Sequence, residues 1–195
     1  MTGKVAPETD GEQSSVSTAE DDSTQSDVAT TYAVLATCWR EPTERVAETA
    51  TAGALSSVVG DVGAVDYHDL RAEYTRLFIG PVGPPCPPYE SVYRDADAPD
   101  EFGPVNGPAT MAVRRWYAEF GVAPSSDHTD LPDHIATELE FAAHLAEKGL
   151  DERLEQFLDE HLRVWAAEFL TLVENETREA FYASLAATTR EVIRQ

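Results

Sequence analysis

The stretch that most restricts this chain is GPVGPPCPP, Gly80 to Pro88, where prolines stand at positions 81, 84, 85, 87 and 88. Each proline fixes φ and removes a backbone donor, so the run can be neither a helix interior nor a central strand. It reads as a stiff, extended loop that the rest of the fold must accommodate. Directly upstream, Leu70, Tyr74, Leu77 and Phe78 fall on one face of a helix that starts near Asp66 and stops at Gly80-Pro81.

The same periodicity recurs along the chain. Val28, Tyr32, Leu35 and Trp39 form a first stripe that ends at Glu41-Pro42, and an Ala-rich helix follows from Thr43 to Val59 before Gly60. Later stripes are Ala109 to Phe120, Ile135 to Ala146, Leu154 to Phe169, and Phe181 to Val192 behind a Thr177 cap. No run of alternating β-branched residues appears. The expectation is an all-α, single-domain bundle of about seven helices over residues 28–195, interrupted by the long proline-rich loop. Residues 1–27 are rich in Ser, Thr, Asp and Glu, with too little apolar surface to offset their ordering entropy, and read as a disordered acidic tail.

Charge excludes one class of partner. The chain has 36 acidic and 14 basic residues, a formal net charge of -22, and only Lys4 and Lys148 as lysines. It cannot assemble the basic surface that phosphate backbones require, so nucleic acid is not expected as a partner. The acids are spread along the whole chain, which points to a halophilic surface adapted to molar salt. At that ionic strength the Debye length is about 3 Å, so any basic ligand must be held by close contact. Cys38 and Cys86 are too few for a disulfide framework or a cysteine metal site, in keeping with a reduced cytoplasm. No segment approaches the ~20 apolar residues of a membrane span, and no apolar signal region is present, so a cytoplasmic protein is expected.

Enzyme motifs are sparse. There is no GxxxxGK[ST] and no GxGxxG, and the Glu-x-x-His spacing of di-iron bundles does not occur. The polar cluster of interest is DHIATELEF, Asp133 to Phe141. His134 and Glu138 stand four apart, so a metal-dependent helical-bundle enzyme is an alternative, although two ligands do not make a site. Asp133 reads equally as a first-turn helix acid or as a functional carboxylate. Leu77 and Phe78 fit a core stripe. They also lie beside a rigid segment carrying Tyr89 and Tyr93, a combination that suits the wall of a peptide groove.

YTRLFIGPVGPPCPPYESVYRD (Tyr74 to Asp95), followed by PDHIATELEF (Pro132 to Phe141), resembles the TorD/DmsD/NarJ family of redox-enzyme maturation chaperones. The resemblance extends over about Tyr32 to Val192 and includes HLRVWAAEFL. It implies an all-helical, cytoplasmic, non-enzymatic protein without cofactors, monomeric or a domain-swapped dimer. Such a protein binds the twin-arginine leader, and the body, of a molybdopterin oxidoreductase such as dimethyl sulfoxide or trimethylamine N-oxide reductase, holding the apoenzyme for cofactor insertion and delaying export. The implied leader-binding residues are Tyr74, Leu77, Phe78, Tyr89, Asp133 and His134. Tyr74 and Tyr89 stand where relatives often carry Trp, and the proline run is less like the branch that serves respiratory nitrate reductase, which is a further alternative client.

The charge excess generates a first prediction. Self-repulsion should unfold or loosen the compact state once counterions are removed. Circular dichroism from molar to millimolar salt should show loss of helicity and of the cooperative melt; full helicity at both ends would contradict the halophilic reading.

Overall fold

Helix α1 spans Ser14–Cys38. No glycine or proline interrupts that stretch, so the backbone runs as helix ahead of Val28, where the apolar stripe begins. The computed structural model describes residues 14–80, 83–98, 101–122 and 130–195, with side chains from Gln25 onward. Residues 1–13 of the expected tail lie outside the described residues.

The architecture is all-α, with ten helices and no strand among the described residues. The Thr43–Val59 pattern divides into α2 (Glu44–Thr51) and α3 (Ser56–Val59), because Gly53 takes a left-handed φ of 73° and turns the chain. Helix α4 (Tyr67–Tyr74) is capped by Asp66, which accepts from the His68 and Asp69 amides at 2.8 and 3.1 Å. After α5 (Glu90–Arg94) come α6 (Pro108–Glu119) and α7 (Ile135–Glu147). The Leu154–Phe169 pattern is two helices, α8 (Asp151–Glu160) and α9 (Leu162–Glu176), parted at His161. Thr177 ends α9 and does not cap α10 (Ala180–Arg194), whose N-cap is Glu179. Helix α1 lies along α7 and α10 along α9, while α8 joins the two pairs. Trp39, just past the end of α1, reaches α10, donating from Nε1 to Thr189 Oγ1 at 3.0 Å inside the core.

Beyond Tyr74 the helix widens into a π turn over Thr75–Ile79, in which the Gly80 amide donates to the Thr75 carbonyl at 2.8 Å. The wide turn divides its apolar residues: Leu77 and Phe78 are buried, while Ile79 is 55% exposed. Phe78 meets Trp39, Tyr74 and Tyr182 edge-on, with centroids 6.0, 5.1 and 5.5 Å away. Both readings of these side chains were open from sequence; burial makes Leu77 a core residue, and Phe78 is core over most of its surface. Arg76 returns to Glu73 through two bonds of 2.8 and 2.9 Å. Glu73 also accepts from the Arg178 amide at 2.7 Å, which ties the turn to the α9–α10 junction. Gly80 has φ of 46°, and a Cβ there would stand 2.7 Å from the Gly83 carbonyl oxygen, so the turn requires glycine.

The far end of the proline segment is clamped onto the start of α7. The Cys86 amide donates to the Leu77 carbonyl at 3.0 Å, and Cys86, Pro87 and Pro88 are buried, so this end of the loop is packed inside the protein. Tyr89 pairs antiparallel with His134 through Ile135 N to Pro88 O and Glu90 N to Asp133 O, each 2.9 Å. Asp133 Oδ2 accepts from the Ser91 amide at 3.0 Å. The helix this carboxylate caps is therefore α5, across the chain, and not α7, where a local reading places it. His134 caps α7, its Nδ1 accepting from the Ala136 amide at 3.1 Å.

Behind the clamp lies a buried polar knot. His161 Nδ1 donates to Glu90 Oε2 at 2.9 Å, and Arg94 also donates to Glu90. Glu138 Oε2 accepts from Trp165 Nε1 at 3.2 Å. No donor faces Glu138 Oε1 among the described residues, and its neighbour is the Glu90 carboxylate. Burial, reinforced by Glu90, pushes the Glu138 carboxyl well above the usual carboxylate range. A proton on Oε1 turns that orphan into a donor toward Glu90.

Two predictions follow from this packing. Phe78→Ala should cost about 3 to 5 kcal/mol of stability, read as a large loss in a denaturant midpoint. Glu138 has a folded-state pKa above its unfolded value, so its favourable contribution is present below the ordinary carboxyl range and is lost as pH rises towards its own titration. Glu138→Gln keeps an acceptor for Trp165 and a donor for Glu90 without titrating. Its stability relative to wild type should rise from pH 5 to pH 8, by up to about 1.4 kcal/mol per pH unit. Melts at both pH values check this, and an unchanged difference would contradict it.

Candidate functional site

An open cleft of about 560 Å³ lies where the α1–α2 connection, the π turn, the end of the proline loop and the start of α7 meet. Tyr74, Phe78, Ile79, Pro88 and Tyr89 give it an apolar wall, and Arg40, Glu41, Asp130 and His134 give it a polar one. Each contribution has a local cause. Pro42 ends the run of α1 and leaves Arg40 and Glu41 beside the opening, the π turn swings Ile79 outward, and the Tyr89–His134 pairing holds those two rings 5.3 Å apart at 69°.

Four of the six residues expected at a leader site therefore share one cleft: Tyr74, Phe78, Tyr89 and His134. Leu77 is buried in the core and Asp133 is buried behind the clamp; neither lines it. Tyr74 and Phe78 present only an edge, with 7% and 5% exposure, whereas Tyr89 is half-buried and Ile79 projects freely. Sequence reasoning missed Ile79, Arg40, Glu41 and Asp130. Ile79 carried one legible signal, an apolar residue immediately before the Gly80 stop; Arg40 carried another, a basic residue two positions before a proline in a chain short of bases.

The polar wall is internally paired. Arg40, whose side chain is 14% exposed, donates from Nε to Asp130 Oδ2 at 3.3 Å and from Nη2 to Glu140 Oε2 at 2.8 Å. Glu41 accepts from Arg71 at 2.9 Å, an exposed pair of little net energy. Burial, helped by Arg40, pushes His134 down to about 4, so near neutral pH its Nδ1 remains free to cap α7. Burial also raises the Tyr74 and Tyr89 phenols, which stay protonated.

The arrangement is suited to binding. Burial pushes both the Cys38 and Cys86 thiols up to about 12, so neither supplies a ready nucleophile. His134 lies at the N-cap with its Nδ1 engaged, and Glu138 faces Trp165 in the core. Among the described residues no three metal-ligating side chains converge, so the His134–Glu138 alternative lacks a third ligand.

Comparison with known proteins identifies the family. The family described as nitrate reductase delta subunit matches residues 39–171, more than half of the chain. The Tat proofreading chaperone DmsD of Salmonella paratyphi A is 34% identical over 126 residues, covering 65% of this chain and 59% of that protein. DmsD of Salmonella typhi is 32% identical over 144 residues, with 74% and 68% covered. The chain thus spans roughly three fifths to two thirds of the length of these relatives. A crystal structure of a protein described as a redox enzyme maturation protein from Archaeoglobus fulgidus superposes with a TM-score of 0.64 at 27% identity, covering 86% of this chain and 94% of that one. With the family match spanning the π turn, the proline loop and the start of α7, this chain belongs to the nitrate reductase delta subunit family, the group of TorD, DmsD and NarJ chaperones.

Proposed function

We propose that this protein is a cytoplasmic maturation chaperone that binds the twin-arginine leader and the apo form of a molybdopterin oxidoreductase, assisting cofactor insertion and delaying export, without catalysing a reaction itself. The observation that carries the reading is the cleft, where an apolar wall of Tyr74, Ile79, Pro88 and Tyr89 faces the carboxylates of Glu41 and Asp130. A leader with a basic start and an apolar middle needs both surfaces side by side. Aromatic and proline contacts supply area at small entropic cost, and the short reach of charge in molar salt makes adjacent carboxylates necessary. Relatives named as Tat proofreading chaperones support the same reading, as does the absence of any helix among the described residues long and apolar enough to cross a membrane. The family description makes a nitrate reductase client the second reading.

Tyr89 is the residue on which to test it, because it is half-buried and lines the cleft without anchoring the core. Tyr89→Ala should weaken binding of a synthetic leader peptide by roughly tenfold or more, with only a small change in melting temperature. Calorimetric titration in molar salt should use leaders from a dimethyl sulfoxide reductase and from a nitrate reductase. Unchanged affinity for both, with a normal melt, would place the leader elsewhere.

A further inference from the structure

The cleft already holds a guanidinium. Arg40 spans from Asp130 at 3.3 Å to Glu140 at 2.8 Å, the first before α7 and the second within it, and it is mostly shielded from solvent. A planar fork bridging two carboxylates is a geometry that arginine satisfies and lysine, a point charge, does not. The position is also a junction. Thr37 of α1 and Arg40 just beyond its end line the cleft just described, whereas Ala29 and Ala33 of α1 line a second open groove of about 650 Å³ between α1 and α7. Glu140 lines that second groove, so the Arg40–Glu140 bond stands where the two depressions adjoin. Of the two carboxylates on the cleft's own rim, Asp130 is held by Arg40 and Glu41 by Arg71.

We propose that Arg40 is an internal stand-in for an arginine of the bound peptide, and that binding proceeds by guanidinium exchange at Asp130 and Glu140. This rests on the leader-binding reading and assigns its specificity-determining residue. An incoming arginine takes the carboxylate pair, Arg40 swings into solvent, and the divider between the two grooves is removed, giving the peptide one continuous trough along α1. Because one cation replaces another on the same carboxylates, the exchange changes no net charge at the site and gains little from the arginine alone. Affinity is then supplied by the apolar wall, and the arginine acts as a key that opens the junction. A lysine cannot bridge both carboxylates and so cannot displace Arg40 efficiently.

The experiment is a titration in molar salt with a peptide carrying two arginines before an apolar stretch, and with its twin-lysine counterpart. The proteins are wild type, Arg40→Gln, Asp130→Asn and the double variant, each checked by a thermal melt. Arg40→Gln should bind the arginine peptide about tenfold more tightly than wild type, since the carboxylates no longer need to be vacated, and should discriminate less against the lysine peptide. Asp130→Asn should change affinity by less than about threefold in wild type, where the peptide's loss is matched by the easier release of Arg40. It should cost about tenfold in the Arg40→Gln background. Arginine-peptide binding that depends on Tyr89 but is unchanged or weakened in Arg40→Gln, with a normal melt, overturns this inference alone. Absence of binding to both wild type and Arg40→Gln overturns the leader reading and the exchange with it.

Discussion

Backbone hydrogen bonding is the constraint on which this structure depends. A segment with five prolines in nine residues has few donors of its own and cannot complete a helix or a sheet, yet its last part is buried. The turn before α7 resolves this through an isolated antiparallel bridge at His134. Ile135 N bonds to Pro88 O, Glu90 N to Asp133 O, and the Asp133 carboxylate takes the Ser91 amide. The loop's side of the cleft follows from that pairing. It fixes Tyr89 against His134, starts α5, and carries Glu90 into the core, where His161 and Arg94 meet it.

The long elements were legible because each buries one continuous stripe, and a stripe is a local property of sequence; α6, α7 and α10 lie close to where the periodicity places them. What was not legible depends on partners far along the chain. The break at His161 could not be read from residues 154–169, since the side chain it releases bonds to Glu90, 71 positions away. Asp133 has the local signature of a helix cap, and it is one, but for a helix whose amide lies 42 positions upstream. The binding reading of Phe78 and Tyr89 came from an apolar helix end beside a rigid proline segment, that of Tyr74 and His134 from the family resemblance, and the fold gathers these four at one opening. Arg40 stood out only as a base in a chain short of them, and its role could not be read because its partner Glu140 lies 100 positions distant.

The motif Arg76-Leu77-Phe78-x-Gly80 illustrates how one short stretch serves stability and shape together. Arg76 fastens the turn to Glu73 and the α9–α10 junction, Leu77 and Phe78 fill the core, and Gly80 permits the reversal that no other residue could make without collision. Of these five, Phe78 shows the cleft only an edge, whereas Ile79, which the π turn directs outward, offers it an exposed side chain. Packing and conformational demands thus occupy most of this stretch, and Ile79 is left the most exposed of the five.

The Glu138 carboxyl has a consequence of a different kind. Burial holds its proton to a higher pH in the folded core than an ordinary carboxyl in the unfolded chain does. Between those two titrations, Glu138 takes a proton from the solvent on folding and returns it to the buffer on unfolding. The heat absorbed on melting then includes the buffer's own enthalpy of protonation. Within that pH window the Glu138 contribution makes the calorimetric enthalpy differ between an amine buffer and phosphate, though the conformational change is the same in both.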